Sequence, residues 1–257
     1  MPIRPLAEMT WEEVRAVHAK PWIVLLPIGA VEAHGPHLPL RTDGIIAEAW
    51  AREAAHRLEG RGLESLIFPT IDYTPAPFAG AFPGTVSVRA ETVTRLVLDI
   101  ARNVAEQGAR ALVLCNAHLD PAHLGALGEA IKRAYAKHLT ILFPNLTRRD
   151  LAARLTQEFQ SGACHAGQYE TSIVMAVAPE LVREDLRGGL EPNPASLSDA
   201  IKDGHSTFGE AGGPSAYFGF PADATVEEGR ATLSVLADIV EEAVLSAVGP
   251  EQIGDPS

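Results

Sequence analysis

Two cysteines in 257 residues, Cys115 and Cys164, are too few for a disulfide framework or for a thiolate metal site. Any bound metal must then rest on imidazole and carboxylate ligands, and a reducing, cytoplasmic setting is expected. Basic residues are also scarce. Against 33 Asp and Glu there are only 21 Lys and Arg, a formal charge of −12. Such a field repels phosphate backbones and anionic lipid, so neither nucleic acid nor membrane is an expected partner. No apolar run approaches the roughly 18 residues of a membrane span. The stretch from Met1 to Glu8 has no basic segment leading into an apolar one, so no targeting peptide is expected. Internal repeats, low-complexity tracts and shifts of composition are missing too, which points to one domain over 1–257.

What is present is enough for a sizeable core: 46% of residues are hydrophobic and 21% charged. Apolar runs at 22–28, 65–70, 111–115 and 140–144 read as strands buried on both faces, each bounded by Gly, Pro or polar residues. Helical spacing of apolar residues occupies 43–59, 90–108, 123–137, 147–159 and about 225–247, with Thr42 or Asp43 placed to cap the first of these. Strands alternating with helices predict an α/β fold, a three-layer α/β/α sandwich around a mainly parallel sheet. The Pro- and Gly-rich stretch 70–88 is too apolar for a free linker and should pack over something. Residues 186–221 read as loop, and long loops in α/β domains often bind ligands.

Chemistry-bearing side chains cluster just past two of the strands. Glu32-Ala33-His34 follows the first, Asp43 comes nine residues after His34, and His118-Leu119-Asp120 follows the third. In extended chain, residues two apart point the same way, so each pair can offer a carboxylate and an imidazole to one place. The ends of central strands are where open α/β sheets bind ligands. Glu32, His34, Asp43, His118 and Asp120 are therefore the candidate metal ligands. The set suits two divalent ions, Zn²⁺ first and Mn²⁺ or Fe²⁺ next, with Asp43 bridging. The competing reading makes Asp43 a helix cap and Asp120-Pro121 the start of the next helix.

A third cluster spans Cys164 to Ser172. His165 is the candidate proton carrier. Glu170 is assigned with it to the catalytic group, although a carboxylate in a helix's first turn is also favoured by the dipole. His37 and His123 read as surface groups or as supports for the ligands. Cys115 reads as a small core residue, and a Cys164 thiol nucleophile lacks a third group to orient its base.

Several ordered motifs resemble the creatininase (creatinine amidohydrolase) family: residues 27–43, Phe82-Pro83-Gly84-Thr85-Val86-Ser87, Asn116-Ala117-His118, residues 165–172, and Gly219-Phe220-Pro221 to Gly229. The resemblance implies a dinuclear centre, with Glu32, Asp43 and His118 on one ion and His34, Asp43 and Asp120 on the other. It further implies a hydroxide between the metals as nucleophile, His165 as shuttle to the leaving nitrogen, and a homo-oligomer, often a hexamer. Departures fall around the substrate. Leu119 stands where the creatinine-hydrolysing type has an aromatic, and Cys164 where it has Glu; Phe78-Ala79 replaces an acidic residue and His.

Leu119, Cys164, Phe82 and Tyr73 are accordingly the candidate substrate contacts. The leading expectation is hydrolysis of a C–N bond in a small-molecule cyclic amide or formamide. A ring-opening hydrolase or isomerase acting on a cyclic ketone such as an inosose, and a non-catalytic metal-stabilised module, are the alternatives.

Overall fold

Strand β1 (Trp22–Ile28) is buried along its whole length because both of its faces are covered. Trp22, Val24, Leu26 and Ile28 join one apolar cluster, and Ile23 and Leu25 join another on the opposite side. The strands are completed by β2 (Glu64–Ile67), β3 (Ala111–Asn116) and β4 (Thr140–Leu142). All pair in parallel, in the order β2-β1-β3-β4. The computed structural model describes residues 5–18, 20–134 and 139–248. Its helices in chain order are α1 (Trp11–Val17), α2 (Thr42–Gly60), α3 (Ala90–Glu106), α4 (Pro121–Arg133), α5 (Arg149–Ala152), α6 (Gln157–Ser161), α7 (Gln168–Val177), α8 (Glu184–Arg187), α9 (Leu197–Lys202) and α10 (Val226–Val248).

The helices divide between the faces, giving the three-layer α/β/α sandwich. Residues of α2, α7 and α10 pack on the face of Ile23 and Leu25, and those of α3 and α4 on the face of Val24 and Leu26. The split follows from topology: β1 to β2 steps one way along the sheet, while β2 to β3 and β3 to β4 step the other way. A single crossover hand then requires α2 on one face and α3 with α4 on the other. Because β2 and β3 flank β1 on opposite sides, their connections diverge between the carboxyl ends of β1 and β3. A crevice opens there, the usual ligand position of a doubly wound sheet.

Element edges differ from the sequence reading for local reasons. Residues 65–70 pair regularly only to Ile67, because Pro69 has no N–H to give. Phe68 N and Ile71 N still bond to Leu25 and Pro27 carbonyls, so the chain keeps tracking β1. The expected helix 147–159 is instead α5 and α6, since the Thr156 hydroxyl accepts from Phe159 N and caps a new start. The helix expected over 123–137 begins at Pro121 and ends at Arg133; positions 135–137 lie outside the described residues. Neither Thr42 nor Asp43 caps α2. The cap position is Arg41, and the Thr42 hydroxyl donates instead to Pro39 O. The stretch 70–88 does pack inward, with Thr74, Ala76, Phe78 and Ala79 buried. The loop-like region 186–221 contains α9 and the end of α8.

Among the described residues, no helix is long and apolar enough to cross a membrane.

Candidate metal centre

Past Ile28 the chain leaves the sheet at Gly29 and enters a buried loop. Its backbone is held by Glu32 N to Leu40 O (2.9 Å) and Ala33 N to the Thr85 hydroxyl (3.1 Å). Gly35, at φ 62°, takes the left-handed turn that brings the chain back towards α2. Glu32 and His34 thereby meet Asp43 in the first turn of α2, and His118 arrives from the end of β3. All four are buried.

The donor atoms form three overlapping trios, each with its atoms within 4.8 Å of one another: Glu32, Asp43, His118; His34, Asp43, Glu170; and Glu32, His34, His165. His118 Nδ1 lies 3.0 Å from Asp43 Oδ2 and 3.3 Å from Glu32 Oε1. His34 Nε2 lies 3.1 Å from Asp43 Oδ1, 3.6 Å from Glu170 Oε2 and 3.9 Å from Glu32 Oε1. An ion with bonds of ~2.0–2.1 Å in tetrahedral geometry sets its ligands roughly 3.3 Å apart. The separations here are of that size.

Each imidazole is also oriented for the task. His34 Nδ1 faces Glu32 O at 3.1 Å, His118 Nε2 faces Pro75 O at 2.7 Å, and His165 Nε2 faces Ala33 O at 2.9 Å. A carbonyl can only accept, so these nitrogens carry the protons. The other nitrogen of each ring points into the cluster, as ligating histidines require. Glu32 Oε2 is buried with no hydrogen-bond partner, and Asp43 Oδ2, close to His118 as it is, meets no donor in hydrogen-bond geometry. Buried carboxylate oxygens left this way call for a cation. The nitrogen and oxygen donor set suits Zn²⁺, Mn²⁺ or Fe²⁺ and contains no thiolate.

Protons replace the cations when the site is metal-free. Burial alone would lower His34, but Asp43, Glu170 and Glu32 outweigh it and raise it to about 10. For His118 burial is likewise opposed by Glu32 and Asp43, and the ring is raised well above its ordinary value. Asp43 resists the upward push of burial because His34 and His118 hold it far below the usual carboxylate range. Glu170, pushed up by burial, titrates near 8.

The sign of the linkage follows. His34 stabilises the metal-free fold most below about pH 6.5 and loses that contribution as pH rises through about 10, whereas Asp43 contributes above about pH 3.8 and loses it in acid. Cation binding must expel the ring protons, so zinc affinity should rise steeply between pH 6 and 8. Calorimetry near pH 7 in buffers of different ionisation enthalpy should register about three protons released as the site fills, one each from His34 and His118 and most of one from Glu170. A heat independent of buffer would show both rings to be neutral beforehand.

The remaining sequence candidates divide clearly. Asp120 is drawn away from the trios: its Oδ1 accepts from Ala122 N (2.8 Å), capping α4, and its Oδ2 from Phe78 N (3.3 Å). Glu170, assigned from sequence to catalysis, stands where Asp120 was expected as the partner of His34 and Asp43. Its Oε2 also accepts from Ala166 N at 2.6 Å. His37 and His123 are fully buried, contrary to any surface role. His37 Nε2 meets the Thr171 hydroxyl (2.9 Å), and His123 Nε2 donates to Asn116 Oδ1 (2.8 Å), whose amide in turn donates to His118 O. Cys115 is a core residue with its thiol pushed up by burial.

A cavity of about 620 Å³ opens onto the cluster. Glu32, Asp43, His118, Asp120, His165 and Glu170 line its inner part, and Leu119 and Cys164 are on its wall. Tyr73 and Phe82 are not on the lining. Tyr73 is 61% exposed, and Phe82 lies 6.3 Å from Phe208, a cavity residue that the sequence reading missed. Glu158 was missed as well: buried, it accepts from Gln168, Tyr169 and Phe220 N and so fixes the start of α7, which carries Glu170. Nothing in sequence separates such a Glu from a solvated one on a helix.

Comparison with known proteins identifies the family. The creatininase family, described as creatinine amidohydrolase, matches residues 7–244. A mycofactocin precursor peptide peptidase of Mycobacterium ulcerans is 33% identical over 226 residues, 86% of this chain and 82% of its own. A creatinine amidohydrolase of Pseudomonas putida is 31% identical over 194 residues, 70% of this chain and 74% of its own. A solved structure described as creatininase Mn superposes with a TM-score of 0.75 at 26% identity, covering 95% of this chain and 98% of that one.

Proposed function

The chain belongs to the creatininase family of hydrolases, and from that premise we propose that it cleaves an amide C–N bond with two divalent cations shared through Asp43. One observation carries the proposal: trios built on Glu32, His34 and Asp43 sit together at the floor of a cavity open to solvent. Glu32, Asp43 and His118 would hold one cation, and His34, Asp43 and Glu170 the other. Bound cations of this kind lower the pKa of water and polarise a carbonyl oxygen.

The reaction adds water across the amide: a C–O bond forms at the carbonyl carbon, the C–N bond breaks, and the departing nitrogen takes a proton. His165 is placed to carry that proton. Burial and the neighbouring His34 charge push its ring down to about 4, so it is neutral at pH 7. With Nε2–H committed to Ala33 O, its Nδ1 lone pair faces the cluster, 3.8 Å from Glu32 Oε1. Phe208, with its ring 4.3 Å from that of His165, helps to keep water out.

Substrate size is part of the proposal. Relatives are named both as an amidohydrolase and as a precursor-peptide peptidase, and a cavity of about 620 Å³ lies well within the ~300–1,000 Å³ of pockets for drug-sized ligands. That favours an amide larger than a single small ring. Assembly of identical subunits, expected from the family resemblance, belongs to the same reading.

The test is turnover of an amide panel, from creatinine and formamides to N-acyl dipeptides, before and after chelation. Activity should vanish with the metal and return with Zn²⁺ or Mn²⁺; turnover that survives complete chelation overturns the proposal. His165→Gln should lower kcat by about 10²–10⁴-fold at unchanged metal content. Loss of metal from that variant would instead make His165 a ligand, in the trio with Glu32 and His34.

A further inference from the structure

The cavity over the cluster is not uniform. Its lining is acidic and imidazole-rich at the cluster, and also includes the apolar Leu119, Leu124, Phe159 and Phe208. Two cations also belong to the lining, Arg149 at the start of α5 and Lys202 at the end of α9. In a chain with 33 acidic residues against 21 basic ones, most of the described cations meet a carboxylate, including those flanking this cavity. The neighbouring Arg148 meets Asp150, Arg154 meets Glu242, and Lys202 itself meets Asp199 at 2.7 Å. The Arg149 guanidinium has no hydrogen-bond or ion-pair partner among the described residues. The residue is exposed and lines the cavity, and its guanidinium has five donors to offer in a fork that matches a carboxylate.

We propose that the substrate is a carboxylate-terminated acyl amide or short peptide, with its amide over the floor, its apolar side chain against Leu119 and Phe208, and its carboxylate on Arg149 with Lys202 alongside. The proposal deepens the amidohydrolase reading and rests on it for the position of the scissile bond. It gives the surplus volume an occupant, since a ring filling only the floor would touch neither cation. It also explains how an acidic protein draws in an anion. The attraction is local to Arg149 and Lys202, while the acidic inner groups are compensated by protons or bound cations.

The experiment uses the zinc-loaded full chain and two probes that differ only at the end, N-acetyl-leucyl-phenylalanine and its C-terminal carboxamide. Where a probe is turned over, KM and kcat are read; where it is not, the Kd is read by calorimetry. Wild type should take the carboxylate about tenfold more tightly than the carboxamide. Arg149→Gln should erase that preference, read as a rise in KM or Kd for the carboxylate probe alone, with zinc content and thermal stability unchanged, and Arg149→Lys should keep part of it. Arg149→Gln combined with Lys202→Gln excludes rescue by the second cation. Equal affinity for both probes in wild type, or a carboxylate preference that persists in the double variant, overturns the inference; persistence would place the carboxylate on the metal centre instead. The two readings separate cleanly. Hydrolysis without carboxylate preference leaves the amidohydrolase proposal standing, and Arg149-dependent binding without turnover of any amide sinks that proposal alone.

Discussion

Replacing Asp43 by Asn is expected to lower hydrolysis by at least about three orders of magnitude, roughly 4 kcal/mol of transition-state stabilisation. Bound metal, two ions per subunit on the proposed reading, should fall towards none in the same variant. The size of the effect follows from position. Asp43 is in both the Glu32–His118 and the His34–Glu170 trios, one oxygen 3.0 Å from His118 and the other 3.1 Å from His34. Among the described residues Asp43 is the one shared by these two trios, so its neutralisation should reach both candidate sites.

The metal-free protein should suffer too. Two buried imidazoles owe their raised values partly to Asp43, and removing one member of a buried charge cluster commonly costs about 3–5 kcal/mol. That loss should appear near neutral pH and shrink at high pH, where the rings shed their protons. Elemental analysis with thermal melts at pH 7 and pH 10 checks both parts. A variant that keeps two ions and most of its activity would remove Asp43 from the bridging position.

The centre was legible where local signals and topology coincide. Glu32, His34 and His118 follow apolar runs read as strands, and the structure has those strands at 22–28 and 111–116. Strand ends in a parallel sheet converge on one edge, so spacing and topology together bring these candidate ligands to one place. Glu170 was harder, because an acid in the first turn of a helix has an ordinary explanation in the dipole. Its place beside His34 depends on how α7 docks, which Glu158 fixes from another helix. Asp120 lies on the cavity lining but outside the trios. Its spacing copies that of His34, but a Pro at the next position starts α4, and two backbone N–H groups claim the carboxylate. His37 and His123 could not be placed from sequence at all. The hydroxyl that satisfies His37 belongs to Thr171, 134 residues away.

Gly29 joins fold and site most tightly, and Gly29→Ala should cost both. A Cβ built there falls 2.3 Å from Gly44 N and 2.7 Å from both Asp43 C and Gly44 Cα. All three are backbone atoms, so no side chain can swing aside. Gly44 has no slack to retreat into, since its own Cβ would fall 2.2 Å from the carboxylate of Asp72, which Arg41 holds. The end of β1 and the start of α2 thus meet backbone to backbone, and that contact sets where Asp43 stands relative to Glu32 and His34. To admit one methyl group, α2 must lift away from the sheet or β1 must bend.

Overpacking of this kind costs about 3 kcal/mol or more, which in a chain of this length lowers Tm by about 6–12 °C. The displaced Asp43 should also weaken metal retention, so that activity falls by more than thermal unfolding explains at 25 °C. Gly125→Ala is the matching control, because nothing lies within 4 Å of its Cβ and the residue is in the exposed part of α4. It should be neutral or raise stability by up to about 1 kcal/mol. If Gly29→Ala melts with the wild type and takes up Zn²⁺ as the wild type does, the close approach of β1 to α2 does not set the geometry of the centre.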